Sequence, residues 1–287
     1  MRAYYGMTKT RRNNYHICLT THQPIYGLIF KELSALLIHS FNSLGRPSVF
    51  KVNEFAPDKT NIILGDTIYA DYADKLKNLK YIPWQMEQLD TAEGHYSSFP
   101  HYQNFLQNAA AVWDYSMQNI KFLRGLGLSA QHLPIGWHAK LETIPASPEK
   151  DLDVLFYGTL NERRLKIIEQ LEGRGVKVGY TNFTLGAERD RLIARAKIVL
   201  NIHYWHMAIL ETARIHYLLN NKVFVITEQS VDNPYPQVDL VSVPYDQLAE
   251  ECVRRLADWE NSQKLAELNY EQFKKYYPMP ELLKKVL

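Results

Sequence analysis

Residues 201–228, NIHYWHMAILETARIHYLLNNKVFVITE, place His203, His206, His216, Glu211 and Arg214 among apolar side chains. A carboxylate and imidazoles at one junction can hold ligand hydroxyls or move a proton. The strand-like run IVLNI (198–202) ends just before His203, and a helical pattern starts near Leu210. His203, His206 and Glu211 are therefore expected at a strand-to-helix junction, with Glu211 in the first helical turn, where the helix dipole favours a negative charge. Two further readings use the same residues. Glu211 and Arg214 can pair at i, i+3 while the histidines cap loops. His203, His206 and Glu211 can also be read as a zinc set, although His-x-x-His in a loop is a weak signal.

Four other groups carry chemistry. Gly158 follows the strand-like VLFY (154–157) and precedes NERR, so a ligand can approach the backbone there. Arg163 and Arg164 then stand in a first helical turn, within reach of a diphosphate. The alternative is two solvated arginines. Neither GxxxxGK[ST] nor GxGxxG occurs. Asp151 and Asp153 form Asp-x-Asp ahead of the strand, at its amino edge, where solvation explains them better than a metal does. In the first half, His22 follows the first strand and Glu87 the fourth. Either could take a proton from a hydroxyl, or be a loop cap and a surface carboxylate respectively. Asp114 reads as a helix brace, and Trp84, Trp113 and Trp137 read as core.

These residues need elements to position them. Strand signals at 15–20, 49–52, 61–64 and 81–84 alternate with helical signals at 28–44 and 109–126. After the linker LETIPASPEKD the alternation restarts. Strands are expected at 154–157, 176–180, 198–202, 223–226 and 240–243, with helices near 161, over 187–196, from about 210 and from 245. Two successive α/β units imply two doubly wound Rossmann-like domains facing across a cleft, with ligands outside the carboxyl ends of the strands. The expected division is 1–146, 147–270, and a C-terminal helix over 271–287 packing back on the first domain.

The composition narrows the function classes. Of 287 residues 46% are hydrophobic and 22% charged, so a large core can form and disorder is not expected. A net charge of +2 is too small to make nucleic acid the main partner. The two cysteines, Cys18 and Cys252, have neither metal spacing nor a disulfide framework, which fits a reducing, cytoplasmic setting. The basic start MRAYYGMTKTRRNN has no apolar stretch behind it, so no secretory signal is expected. No run is long and apolar enough for a membrane span, leaving at most peripheral membrane contact.

A strand, an acidic residue opening a helix and a further apolar strand resemble the C-terminal half of GT-B glycosyltransferases. Many of these carry two glutamates eight residues apart, the second on the ribose hydroxyls of a nucleotide sugar and the first on the sugar. Glu211 matches the second, and His203 stands in place of the first. The blocks PWQMEQL (83–89), VWDYSMQNI (112–120), LPIGW (133–137), DVLFYGTLNERR (153–164) and GAERDRLIARAKIVLNIHY (186–204) are similar to those of a bacterial family of single-chain glycosyltransferases with unassigned acceptor. The resemblance implies transfer of a sugar from a nucleotide-diphosphate sugar to an unknown acceptor hydroxyl on a glycan, lipid-linked sugar, protein or small molecule. Gly158, Arg163, Arg164, His203, His206 and Glu211 would bind the donor, and Glu87 or His22 would serve the acceptor. No cofactor and no metal are expected. A non-catalytic nucleotide-sugar sensor and an epimerase or phosphorylase of the same shape stay open.

Overall fold

The computed structural model describes residues 14–22, 24–65, 74–89, 100–147, 149–182, 184–206 and 208–287. The basic first residues, and with them any peripheral membrane contact they make, lie outside the described residues. So does Gln23.

The first sheet is formed by β1 (Tyr15–Thr20), β2 (Val49–Val52), β3 (Thr60–Gly65), β4 (Tyr81–Gln85), β5 (Val112–Asp114) and β6 (Ala130–His132). Its order is β2-β1-β3-β4-β5-β6, and every pairing is parallel. Parallel strands are buried on both faces, which explains their unbroken apolar runs. Ile17 and Leu19 of β1 enter one core, and Cys18 between them enters the other. Helices α1 (Pro24–Ile29), α2 (Lys31–Ser43), α3 (Pro100–Gln107) and α4 (Met117–Gly125) connect these strands.

The second sheet has β7 (Leu152–Tyr157), β8 (Val178–Thr181), β9 (Ala196–Asn201), β10 (Val225–Glu228) and β11 (Val241–Val243) in the order β11-β10-β9-β7-β8, again parallel. Its helices are α5 (Glu162–Glu172), α6 (Gly186–Arg195), α7 (Thr212–Asn220), α8 (Leu248–Ala257), α9 (Trp259–Tyr276) and α10 (Met279–Lys284). Val154, Phe156, Ile198 and Leu200 face α5 and α8, while Leu155 and Val199 face the opposite core. Both units are thus doubly wound. Strand order reverses between β1 and β3 in one and between β7 and β9 in the other, and a crevice opens at each reversal.

The two units are docked. One apolar cluster runs from Leu19, Leu36 and Ile62 of the first to Val199, Ile215 and Tyr235 of the second. Glu32 and Arg189 bridge them at 2.9 Å, and Tyr235 donates its hydroxyl to Ile135 O at 2.7 Å. LPIGW is where the C-terminal segment crosses back. Trp137 N donates to Tyr277 O at 2.7 Å, and Met279 N donates to Trp137 O at 2.9 Å. A Cβ on Gly136 would collide with Tyr277 O, so the crossing needs glycine. Helix α10 then packs on α2. Cys18 and Cys252 are free and buried, and burial pushes both thiols up to about 12.

The structure adds α3 and β6, which the sequence pattern does not mark, and departs from that pattern in three further places. The helix expected over 28–44 breaks at Phe30, whose carbonyl caps α2 by accepting Ser34 N–H at 2.9 Å. The helix expected over 109–126 begins only at Met117. Residues 112–114 instead form β5 between β4 and β6, and Ser116 caps the helix by accepting Asn119 N–H at 3.2 Å. The long helix expected from Tyr245 is interrupted at Asp258 and becomes α8 and α9.

Candidate functional site

The crevice between β7 and β9 gathers most of the chemistry. Asn201 ends β9, and Glu211 stands immediately before α7. Glu211 is the N-cap residue, not part of the first turn, and its side chain does not cap the helix. Its carboxylate turns back to β9. Asn201 Nδ2 donates to Glu211 Oε2 at 2.7 Å, and His203 Nδ1 lies 2.9 Å from Oε1 and 2.8 Å from Oε2. The side chain of Glu211 keeps 24% exposure, whereas that of His203 has none. One carboxylate thus faces the crevice and is gripped from behind.

Both ring nitrogens of His203 are engaged. Nδ1 meets a carboxylate, and Nε2 lies 3.3 Å from the Gln229 carbonyl, with Ser230 Oγ at 3.1 Å. An imidazolium can donate at both positions. Burial lowers the His203 pKa, but the contact with Glu211 outweighs it and the net direction is up. Burial likewise raises the Glu211 carboxyl. His203, Arg214 and Asn201 overcome this and bring it down to about 2. Each partner thus favours the charged form of the other.

Arg214 was read from sequence only as a partner for Glu211. In the structure its Nη1 donates to Asn201 Oδ1 at 2.6 Å, and its guanidinium lies 4.9 Å from the Tyr157 ring. Its Nε is buried without a hydrogen-bond partner. Gly158 has φ of +133°, and a Cβ there would lie 2.7 Å from Arg214 Nη2. The glycine therefore serves both the backbone conformation and the approach of this arginine.

Arg163 and Arg164 sit deeper. Arg163 forms a bidentate pair with Glu228, with Nη1 at 2.7 Å from Oε2, and also donates to His203 O at 3.0 Å. Its guanidinium stacks 4.0 Å from the Tyr245 ring centre. Arg164 donates to Ile202 O through Nε and Nη2, at 3.0 and 2.7 Å, and to Thr159 O at 2.6 Å. Burial brings its pKa down to about 10. Both arginines tie the loop after β7 to the loop after β9. Asn161 caps α5, accepting Arg164 N–H at 3.0 Å, and donates to Tyr204 O at 3.0 Å. His206 stands apart in an exposed turn. Among the described residues no group of three His, Cys, Asp or Glu side chains could hold a metal. Asp151 pairs with Arg195 at 2.5 Å and Asp153 with Lys197 at 2.7 Å, both at the amino end of β7.

Across the interface, Glu87 follows β4 and is half-buried, and His22 follows β1 and is exposed. The Glu87 loop does reach the second unit: Gln88 Oε1 accepts Ile209 N–H at 3.3 Å, two residues before Glu211. Ser116 Oγ donates to Asp232 Oδ2 at 2.6 Å beside it. A recess lined by Phe30, Gly65, Trp84, Met86 and Phe105 adjoins Glu87. Asn201, Arg214 and Glu228 were not singled out as site residues from the sequence. A polar residue closing an apolar strand, as Asn201 and Glu228 both do, is the signal that could have found two of them.

No protein-family model matches the chain. An uncharacterized protein of Acanthamoeba polyphaga mimivirus is 28% identical over 166 residues, which are 54% of this chain; the chain spans about half the length of this curated relative, 54% of it. A bacterial origin, implied by the resemblance above, finds no support in this viral relative. The solved structure of WaaG, a glycosyltransferase involved in lipopolysaccharide biosynthesis, is similar over 95% of this chain and 98% of its own, with a TM-score of 0.58 and 13% identity. The pneumococcal O-GlcNAc transferase GtfA, solved with UDP and GlcNAc, is similar over 87% of this chain and 58% of its own, with a TM-score of 0.55 and 8% identity. At these identities the likeness is one of fold: the chain has the α/β architecture of two Rossmann-like domains found in GT-B glycosyltransferases.

Proposed function

We propose that the protein is a glycosyltransferase that takes a sugar from a nucleotide-diphosphate donor and passes it to an acceptor hydroxyl. The observation that carries this reading is that Glu211 and Arg214, each held by Asn201, stand side by side in the β7/β9 crevice. A carboxylate held ionised and partly open suits the two ribose hydroxyls, which donate. A guanidinium facing Gly158 suits the diphosphate, whose oxygens only accept. The two lie one helical turn apart at the start of α7. GtfA, of the same fold, was solved with UDP and GlcNAc.

In this reading Arg163 and Arg164 hold the loops that shape the crevice, and Gly158 admits the phosphates past the backbone. His203 orients Glu211, and His206 borders the sugar. The donor charge is met by Arg214 without a metal. Asp151 and Asp153, the aspartates best spaced for an ion, stand at the far edge of the sheet in ion pairs. Glu87, on a loop that touches the segment leading to Glu211, takes the proton from the acceptor hydroxyl, with His22 as the alternative group. Docking of the two units around the donor excludes water and limits hydrolysis.

The test is calorimetric titration with UDP, GDP, ADP, CDP and dTDP, followed by nucleotide release from the matching sugar nucleotides with and without EDTA. One nucleotide bound, and release that rises with acceptor extract and survives EDTA, is the expected result. Sugar inversion without release would identify an epimerase, and binding alone a sensor. Loss of turnover with EDTA and its return with magnesium or manganese would overturn the metal-free reading.

A further inference from the structure

The blocks PWQMEQL and VWDYSMQNI are far apart in sequence and converge on one buried polar frame. Gln85 and Asn119 are 2% and 0% exposed, and Asp114 is 0% exposed. Gln85 Nε2 donates to Asp114 Oδ2 at 2.6 Å and to Glu87 O at 2.8 Å. Its Oε1 accepts Glu87 N–H and the Tyr102 hydroxyl, the latter at 3.0 Å. Asn119 Nδ2 donates to Glu87 O at 2.8 Å and Asp114 Oδ1 at 3.3 Å, and its Oδ1 accepts Leu89 N–H at 3.2 Å. Ser116 N–H completes Asp114 at 2.8 Å. These buried side chains fix the backbone of two residues, Glu87 and Leu89.

Asp114 sets the polarity of the whole frame. Each hydrogen-bonding neighbour of its carboxylate is an N–H donor, so a proton there would have no acceptor. Burial pushes its pKa well above the usual carboxylate range, and these donors oppose that push without cancelling it. An acceptor-only group makes Gln85 and Asn119 each present an NH2 to it. Gln85 must then show its oxygen to the Glu87 N–H. If the Gln85 amide flipped, its NH2 would face the N–H of Glu87 and its oxygen the carbonyl. The orientation of the Glu87 backbone therefore follows from one buried, acceptor-only carboxylate at the end of the neighbouring strand.

We propose that Asp114 is a positioning residue, which through Gln85 and Asn119 holds Glu87 in place as the acceptor-side base. This rests on the sugar-transfer reading for the role of Glu87, but the frame itself can be tested without turnover. Asp114→Asn keeps the shape and turns one acceptor into a donor, setting NH2 against NH2. Amide hydrogen exchange over residues 85–89 is expected to quicken by about tenfold or more, with the second sheet unchanged. Affinity for the nucleotide diphosphate found by calorimetry is expected to hold, since Glu211 and Arg214 lie in the other unit. With a donor in hand, kcat is expected to fall about ten- to hundredfold with the donor KM unchanged. The double variant Glu87→Gln, Asp114→Asn is expected to be no slower than Glu87→Gln alone, because both remove one function. Asn119→Ala, which removes only the second arm, is expected to quicken exchange over the same residues should Asp114→Asn not fold. Unchanged exchange in both variants would overturn the frame. Normal turnover in Glu87→Gln, or losses that multiply in the double variant, would overturn its role in positioning a base. Failure to bind any nucleotide diphosphate would instead remove the sugar-transfer reading, leaving the exchange comparison to decide the frame.

Discussion

Glu211→Gln replaces one oxygen of the gripped carboxylate by an NH2 and removes its charge. Both oxygens of Glu211 have a donor beside them: Asn201 Nδ2 and His203 Nδ1 at Oε2, His203 Nδ1 at Oε1. The glutamine NH2 therefore meets a donor in either orientation, unless His203 gives up its Nδ1 proton. A neutral ring protonated at Nε2 still donates to Gln229 O and accepts the new N–H at Nδ1. The fold is expected to survive, with His203 titrating below its present, raised position. Bringing Glu211 from 4.5 to about 2 corresponds to roughly 3 kcal/mol of ionic stabilisation, part of which the neutral pair recovers. For binding, the ribose hydroxyls lose a charged acceptor and keep a neutral one. A hydrogen bond to a charged group contributes about 1.5–3 kcal/mol against about 1 for a neutral one. Two hydroxyls then lose about 1–4 kcal/mol together, and the expected weakening is at least about fivefold. The assay is calorimetry with the preferred nucleoside diphosphate and its 2′-deoxy analogue, on both proteins. The wild type should prefer the ribose form and Glu211→Gln should not. Unchanged affinity, or an undiminished preference for ribose in the variant, would refute the assignment and leave Glu211 as a structural partner of His203.

Two further outcomes follow from the same geometry. Gly158→Ala forces a Cβ to 2.7 Å from Arg214 Nη2 at a φ of +133°, so it is expected to cost about 1–3 kcal/mol in denaturant unfolding and to weaken nucleoside diphosphates while sparing nucleosides. Arg214→Lys should reproduce the binding loss with little change in stability, and equal effects on nucleoside and diphosphate would contradict it. The ionic pair also sets a pH window. The depressed Glu211 pKa adds stability above about 4.5 that is lost as pH falls toward about 2, and the raised His203 pKa adds stability below 6.5 that is lost as pH rises through it. The melting-temperature advantage of wild type over Glu211→Gln should therefore be greatest between about pH 4.5 and 6.5. An advantage that grows above pH 7 would exclude the imidazolium.

The sequence by itself determined the architecture. Apolar runs of strand length, alternating with helical periods, can be satisfied only by parallel strands buried on both faces, and the restart after residue 147 requires a second such unit. It also placed Glu211 at a helix start and Gly158 at a strand end, because a carboxylate opening a helix and a glycine closing a strand are local signals. The short strand β5 escaped notice because Val112–Asp114 is helical in pattern and becomes a strand only between two partners. Which arginine meets the crevice was decided by the tertiary structure alone. Arg163 and Arg164 stand at the expected helix start, yet Glu228 and the carbonyls of Ile202, His203 and Thr159 take up most of their donors, Arg163 Nε excepted, from segments up to 65 positions away. Arg214, whose spacing from Glu211 suggested a surface pair, instead reaches over β7 to Gly158. The histidine at position 203, where the resembled motif has its first glutamate, becomes intelligible in the same way: the ring is buried and faces Glu211, not the open crevice. Spacing along a chain fixes which groups share a face, whereas the donors and acceptors that remain for a ligand depend on what the rest of the fold brings against them.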